Sequence, residues 1–421
     1  MMDRVRTAVI GLGKVAETIH LPACLLVDQI ALIAGCEPDA QRRELMRAKF
    51  GIANVYEDAN TLIEKEKPEL VIIGTPPDSH RDLSILCLQN GADVLCEKPF
   101  AMSLAETDDI IEAARQFDRV VSVNNQYRYM NQYGVTKEML AAGDLGNLFF
   151  LQCWQQMYYP PTLEKTSWRN SLKQSTLFEF GSHPLDLICH FFDALPESVH
   201  AVIPQLGDKY DADVLVQMTL RFPGERLATI ALNRVSRAPE RYLEMRLDCE
   251  KASVRISLGG IARAGLELTR NRGRHYPRMR ISLVKGGEAR LESEGTSRVI
   301  AREPQPAFAS ATAAHLRKMI EMRRSGKINY EGIGRAQQIL RIIFAGYESA
   351  KTGQVIRLDS FPAPAKKQAV SAPTASASAI ASGSVSGSGS ESFSAPSSSS
   401  APSSATASTS ANSQSFLAPP G

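Results

Sequence analysis

The chain has 421 residues, with 48 Lys or Arg against 45 Asp or Glu, a formal net charge of +3. Its hydrophobic fraction of 43% and charged fraction of 22% are those of an ordinary globular protein. So even a balance argues against a dedicated nucleic-acid binder, which concentrates positive charge on one face, and no run of about 18 apolar residues suggests a membrane span.

One local basic run, Arg270, Arg272, Arg274, Arg278 and Arg280 around His275 and Tyr276, reads as a solvated hairpin loop, because Gly273 and Pro277 interrupt it. The seven cysteines (24, 36, 87, 96, 153, 189 and 249) are odd in number and widely spaced, with no CxxC. That pattern implies reduced, buried thiols rather than a disulfide scaffold or a zinc site. With no apolar leader ahead of the first strand, the expected compartment is the cytoplasm.

In chain order, residues 1–124 alternate strand and helix signals. Apolar runs at Thr7–Ile10, Ile30–Cys36, Leu70–Ile73, Asp93–Cys96 and Val120–Val123 are separated by helix-length stretches at Ala40–Phe50, Asp82–Asn90 and Ser103–Phe117. Ser103 followed by Glu106 spells a capping box, and Asn90-Gly91 a helix exit. Continuous apolar strands alternating with helices predict a doubly wound parallel sheet of the α/β class.

Residues 125–360 change character. Val214, Val216, Met218 and Leu220 alternate with polar positions, as do Leu243, Met245, Leu247 and Cys249; Asn147–Met157 and Leu227–Asn233 are also strand-like. One apolar and one polar face per strand predicts an α+β domain with a large open, mainly antiparallel sheet. Helices at Ser182–Phe192, Ala311–Arg324 and Gly332–Lys351 would line it. Residues 361–421 form a third segment. From Pro362 to Gly421 there are 20 Ser and 14 Ala, a composition too poor in apolar bulk to offset ordering entropy, so a disordered tail is expected.

Gly11-Leu12-Gly13-Lys14-Val15-Ala16 comes directly after the first strand and opens a helix. Gly11 would permit the tight turn, Gly13 the close approach of a pyrophosphate, and Ala16 close helix packing, with the helix N-terminus facing the phosphates. Glu37, ending the second strand, would accept from an adenosine ribose and repel a 2′-phosphate, favouring NAD(H), while Arg42 and Arg43 leave NADP(H) open. Thr75-Pro76-Pro77 with His80, and Glu97-Lys98-Pro99, come after two further strands at the sheet edge where such folds bind ligands.

Lys98 beside a cationic nicotinamide would have a lowered pKa suited to proton exchange, although a turn lysine has the same local signature. In the second region Glu179, His183 and Asp186 stand at i, i+4 and i+7. On one helix face the two carboxylates would orient the histidine and favour its imidazolium form, suiting it to accept an alcohol proton. A metal site is the rival reading of this group, disfavoured because no second histidine stands one turn away.

Together these motifs resemble the glucose–fructose oxidoreductase, inositol dehydrogenase and rhizopine-catabolism (Gfo/Idh/MocA) family of NAD(P)-dependent oxidoreductases, over residues 5 to about 358. Glu97-Lys98-Pro99 is the most specific element. It is supported by Gly11-x-Gly13-x-x-Ala16, His20-Leu-Pro22, Thr75-Pro76-Pro77, Glu179-x-Gly181-x-His183-x-x-Asp186 and Tyr347–Gly353. The resemblance implies an N-terminal Rossmann domain binding NAD, with NADP possible, through Gly11, Leu12, Gly13, Lys14, Val15, Glu37, Thr75, Pro76, Pro77, His80, Glu97, Lys98 and Gln126.

It also implies that Lys98 and His183 flank the reacting carbon, with Glu179, where the family usually has Asp, as a third catalytic group. Tyr127, Trp168 and Arg169 would join Glu179 and His183 around the substrate, and no metal is required. The implied reaction is hydride transfer between NAD(H) and a secondary alcohol of a sugar, cyclitol or related polyol, in a homodimer or homotetramer formed through the second sheet. Two alternatives remain: a glycosidase-like enzyme that uses bound NAD transiently, and a non-catalytic nucleotide-sensing regulator.

Overall fold

The computed structural model describes residues 4–361, apart from 165, 207–209, 238–241, 260, 272–273, 285–286 and 304–305. The expected tail, from Pro362 onward, lies outside the described residues. The described residues form one compact unit with two lobes.

The first lobe runs β1 (Val5–Ile10), α1 (Leu21–Leu25), β2 (Ile30–Cys36), α2 (Ala40–Phe50), β3 (Asn54–Tyr56), α3 (Ala59–Glu66), β4 (Leu70–Ile73), α4 (His80–Gln89), β5 (Asp93–Cys96), α5 (Leu104–Gln116) and β6 (Val121–Val123). Its six strands pair in parallel in the order β3-β2-β1-β4-β5-β6. The three-residue edge strand β3 is an addition to the five read from apolar runs. Helix ends obey local chemistry. Asp39 accepts from Arg42 N to start α2, and Gly51, at φ 65°, ends it. Ser103 accepts from Glu106 N to start α5, but the Glu106 carboxylate reaches back to Met102 N, one residue earlier than a capping box requires.

The order reverses between β1 and β4, so the loops after those two strands meet at the carboxyl edge of the sheet. That switch point is where open α/β sheets bind ligands. The contact is close: a Cβ on Gly11 (φ +87°) would lie 2.9 Å from the Gly74 carbonyl and from Thr75 Cγ2.

The second lobe adds α6 (Asn131–Ala141), β7 (Leu148–Gln156), α7 (Ser167–Asn170), α8 (Ser182–Phe192), β8 (Ser198–Val202), β9 (Leu215–Phe222), β10 (Arg226–Asn233), β11 (Leu243–Cys249), β12 (Ser253–Leu258), β13 (Ile261–Asn271), β14 (Arg274–Val284), β15 (Gly287–Ser293), β16 (Thr296–Arg302), α9 (Ala307–Ser325), α10 (Glu331–Thr352) and β17 (Ile356–Arg357). Nine strands form one sheet in the order β16-β15-β12-β11-β7-β10-β9-β8-β17. Within that sheet, among the described residues, only β7 and β10 pair in parallel; the other neighbours are antiparallel. The alternation read on β9 and β11 is the burial pattern: Val216, Met218, Leu220, Leu243, Met245 and Leu247 are buried, facing α8 and α10. The opposite face carries exposed Trp154.

Two expectations change. Of the basic run, Arg270 lies in β13 and Arg274, Arg278 and Arg280 in β14, a separate two-stranded ribbon rather than a loop, while Arg272 and Gly273 lie outside the described residues. Pro277 is accommodated there, opposite Leu268, because both strands of a lone ribbon are edges. The helix expected to line the second sheet at 311–324 instead caps the first lobe. Ala313, Leu316, Met319 and Ile320 of α9 share a core with Val9, Leu12, Leu21 and Ile72. Helix α10 serves both lobes: Ile333 and Ala336 join the core of Val71 and Val94, while Ile339 and Ile343 join that of Met218 and Leu247.

Candidate active site

The cofactor half is built from backbone around the first loop. Gly11 supplies the positive φ and the close approach to Gly74. A Cβ on Gly13 would meet nothing within 4 Å, so that side of the loop is open to a ligand. Ala16 is fully buried, as close packing demands. The chain then winds a π-type turn, Ala16–His20, before α1, in place of the uninterrupted helix the motif suggests. Lys14 is exposed and Val15 half-buried at the entry to that turn.

The half-buried carboxylate of Glu37 accepts from Leu12 N at 3.0 Å and Asp39 N at 3.2 Å, so it stands over the loop where a ribose binder belongs. Arg42 donates to Leu12 O (2.7 Å), Gly13 O (3.0 Å) and Glu17 (3.0 Å). Arg43 donates to the carbonyls of Glu37 and Pro38. Both arginines that left NADP open are thus engaged in holding the loop and the end of β2. Glu17, hydrogen-bonded by Lys49 and Arg42, has its carboxyl lowered to about 2.

The other edge loops are tied together from beneath. His80 is fully buried, with Nε2 2.9 Å from Thr75 O and Nδ1 3.0 Å from Pro99 O. It joins the Thr75-Pro76-Pro77 loop to the Lys98-Pro99 loop. A neutral ring carries one N–H, so His80 donates to one of these two carbonyls and packs against the other, buried beneath both loops. Burial dominates and lowers its pKa. Glu97 is also buried. Burial pushes its carboxyl up, but His20 (Nε2 at 3.0 Å), Asn124 Nδ2 (2.7 Å) and the Lys98 charge outweigh that and hold it at about 2.

The second lobe brings the other half. Thr176–Phe180 forms a second π-type turn, and α8 starts directly after Gly181, placing His183 near its N-terminus. The His183 ring stacks on Tyr127, with centroids 4.0 Å apart and planes 8° from parallel. Lys98 Nζ reaches across from the first lobe to the Glu179 carbonyl at 3.4 Å. The loop lysine and the α8 histidine are therefore neighbours, and the lysine charge disfavours protonation of the histidine. Burial lowers the Lys98 pKa, with Glu179 and Glu97 opposing and Arg169 adding to it. Burial and then Lys98 depress His183 to about 3.

This reverses the expected electrostatics of His183. The carboxylates at i−4 and i+3 do not orient it. Glu179 Oε2 is taken by Arg169 Nε at 2.8 Å, and Asp186 by Arg128 in a bidentate pair together with Asn125. The π-type turn breaks the helical spacing that would have put Glu179 on the His183 face, and both acids find arginines first. His183 is held neutral rather than favoured as imidazolium.

Among the described residues no group of three His, Cys, Asp or Glu side chains is arranged to hold a metal ion. Trp168 and Arg169 lie together on α7, the guanidinium 4.3 Å above the indole ring. Buried polar atoms without a partner cluster near this junction: Asn125 Oδ1, Gln126 Oε1 and His183 Nδ1. Two unsatisfied acceptors on the segment that follows β6, with Asn125 sharing a small cleft with Lys98, fit the carboxamide end of a dinucleotide.

Sequence reasoning missed Arg128, Asp213 and Arg234. Arg128 carried a signal, a charge beside a buried aromatic pair. The others bind across 36 to 134 positions of chain and had none.

A glycine turn at the switch point of a doubly wound sheet, with Lys98 reaching from its edge to the turn before α8, is the arrangement of an NAD(P)-dependent oxidoreductase. Residues 5–125 match the sequence model described as the oxidoreductase family with NAD-binding Rossmann fold, and residues 133–255 that of the GFO/IDH/MocA C-terminal domain. The chain belongs to this Gfo/Idh/MocA family.

Among curated relatives, a myo-inositol 2-dehydrogenase of Thermotoga maritima is 26% identical over 273 residues, covering 64% of this chain and 79% of the relative. A scyllo-inositol 2-dehydrogenase (NADP(+)) of Bacillus subtilis is 26% identical over 202 residues, covering 48% and 55%. Among solved structures, an aldose-aldose oxidoreductase of Caulobacter crescentus complexed with glycerol superposes with TM-score 0.69 at 18% identity, covering 84% and 99%. An Agrobacterium radiobacter oxidoreductase in complex with NAD+, L-tartaric acid and magnesium does so with TM-score 0.66 at 18% identity, covering 85% and 99%. At these identities the structures establish the shared fold.

Proposed function

We propose that the protein is an NAD(H)-dependent dehydrogenase that interconverts a secondary alcohol and a ketone on a sugar, cyclitol or related polyol. The observation that carries this reading is the meeting of Lys98, from the first lobe, with the turn that bears Glu179 and leads into His183 on α8, at the switch-point edge of an NAD-binding sheet. The nicotinamide, when bound, accepts or returns the hydride. Neutral His183 takes the hydroxyl proton as the C–H pair departs, and the C=O forms with Lys98 Nζ donating to its oxygen. Glu179 and Arg169, already paired, and Tyr127 against the imidazole would orient the ring hydroxyls.

The inositol dehydrogenases among the relatives support the polyol class. Glu37 over the loop, with Arg42 and Arg43 engaged elsewhere, supports NAD(H) over NADP(H). In this reading residues 1–124 form the cofactor domain and residues 125–360 the substrate domain. Pairing of copies through the open face of the nine-stranded sheet, where Trp154 is 46% exposed, makes a homodimer or homotetramer. Among the described residues no helix is long and apolar enough to cross a membrane; seven buried free cysteines suit the reducing cytoplasm.

The test is a panel of inositols and sugars assayed with NAD+ and NADP+ for nicotinamide reduction, and the corresponding ketones with the reduced cofactors. Turnover with accumulating NADH supports the reading. Substrate conversion with no net NADH points to transient use of bound cofactor. A blank in both directions, with NAD+ still bound, points to a sensor.

A further inference from the structure

We infer that Asp213 is a positioning residue of the active site: its buried carboxylate, with the Tyr347 hydroxyl it binds, gathers four consecutive backbone N–H groups and so fixes the turn that presents Glu179 and His183. The inference rests on the proposed roles of those two residues. Asp213 is only 5% exposed and precedes β9, on a different element from the turn it holds. Its Oδ1 accepts from Ser175 N at 2.5 Å and Thr176 N at 2.9 Å, and its Oδ2 from Leu177 N at 3.1 Å. The Tyr347 hydroxyl donates to Oδ2 at 2.9 Å and accepts from Phe178 N at 3.1 Å. The Asp213 backbone joins in, its carbonyl accepting from the Thr176 hydroxyl and its N–H donating to Lys173 O at 3.0 Å. These are the donors that the first turn of any helical segment leaves without partners, and an anion is the group that their dipoles favour.

Arg234 grips the same strand of chain from the other side. It donates to the Ser175 hydroxyl at 2.9 Å and to Tyr159 O at 2.8 Å, and its guanidinium lies 5.2 Å from the Phe180 ring centroid. The segment so held is wound as a π-type turn, and its path leaves no slack. A Cβ at Gly181 would lie 2.3 Å from the Leu177 carbonyl. Rewinding it to α geometry would rotate Glu179 by roughly one residue's step, about 100°. That rotation would carry its carbonyl away from Lys98 Nζ and its carboxylate away from Arg169. Lys98 is faced by Glu97 of its own loop and by Glu179, Arg169 and His183 of the second lobe. A shift of the turn therefore alters both the placement and the titration of the lysine.

The experiment compares full-length wild type with D213N, which keeps the shape but loses the charge, and with Y347F. The expected D213N phenotype is a fall in kcat of about 100-fold, the scale of an ångström misplacement, with KM and the NAD+ dissociation constant near wild type. The limb of the pH–rate profile set by Lys98 should also move to lower pH as Glu179 withdraws. Y347F should fall between the two. Wild-type kcat and pH profile in D213N would overturn the inference, as would parallel loss of activity, NAD+ affinity and thermal midpoint. If wild type turns over no polyol, the function reading fails. The positioning claim is then read by amide hydrogen exchange: faster exchange at 175–178 alone in D213N supports it, and unchanged exchange there overturns it.

Discussion

The two lobes build their halves of the site in different ways. In the first, the candidate ligand surface is a glycine turn, braced by Glu37 just past β2, whose carboxylate accepts from Leu12 N across 25 positions. In the second, the surface is side chains held by buried ionic groups: Asp186 by Arg128 across 58 positions, and the Glu179–His183 turn by Asp213 and Tyr347 across 36 to 169. A backbone turn is specified by short-range sterics. A site held by buried charges is specified by long-range pairing.

The sharpest break of this contrast falls where the halves meet. Lys98→Met and His183→Asn should each lower kcat by about 10²–10⁴ while NAD+ affinity, measured by equilibrium titration, stays at the wild-type value. Next comes the second lobe's dependence on paired charge. Arg128→Leu leaves the Asp186 carboxylate, 1% exposed, without its partner, and should cost about 3 kcal/mol in urea unfolding. The first lobe should be gentler to perturb: Glu37→Ala removes one acceptor from Leu12 N and from a ribose, weakening NAD+ about tenfold and narrowing its preference over NADP+. An unchanged preference would remove Glu37 from the cofactor site.

A further effect is on pH. Burial holds His183, His190 and His315 down to about 3, whereas in the unfolded chain they titrate near about 6.5. Their folded pKa values are depressed, so the unfolded state binds more protons in this window. Stability contributed by the neutral imidazoles is complete above about 6.5 and is lost as pH falls toward 3. Denaturation midpoints measured across that range should decline, and a flat series would mean that these rings accept protons in place.

Legibility in the sequence divides along the same line. Strands β1, β2, β4 and β5 and the loop at Gly11 announce themselves because a continuous apolar run and a glycine spacing are local signals. Strand β3 did not, since three edge residues carry no periodic signal. The stripe on α9 was visible as a buried face, but amphipathicity names no partner, and that face packs on the first lobe rather than on the second sheet. Helical spacing suggested carboxylates around His183. The π-type turn and two distant arginines decided otherwise, and neither is a local property of the sequence.

The central claim is that Lys98 and His183 act as one unit on a single reacting carbon. A double-mutant cycle tests it most directly, with kcat/KM measured for wild type, K98M, H183N and the double variant on the best polyol substrate. If the two residues serve the same step, the double variant should be no slower than the worse single variant. Losses that simply multiply would mean that they act independently, and would contradict the account.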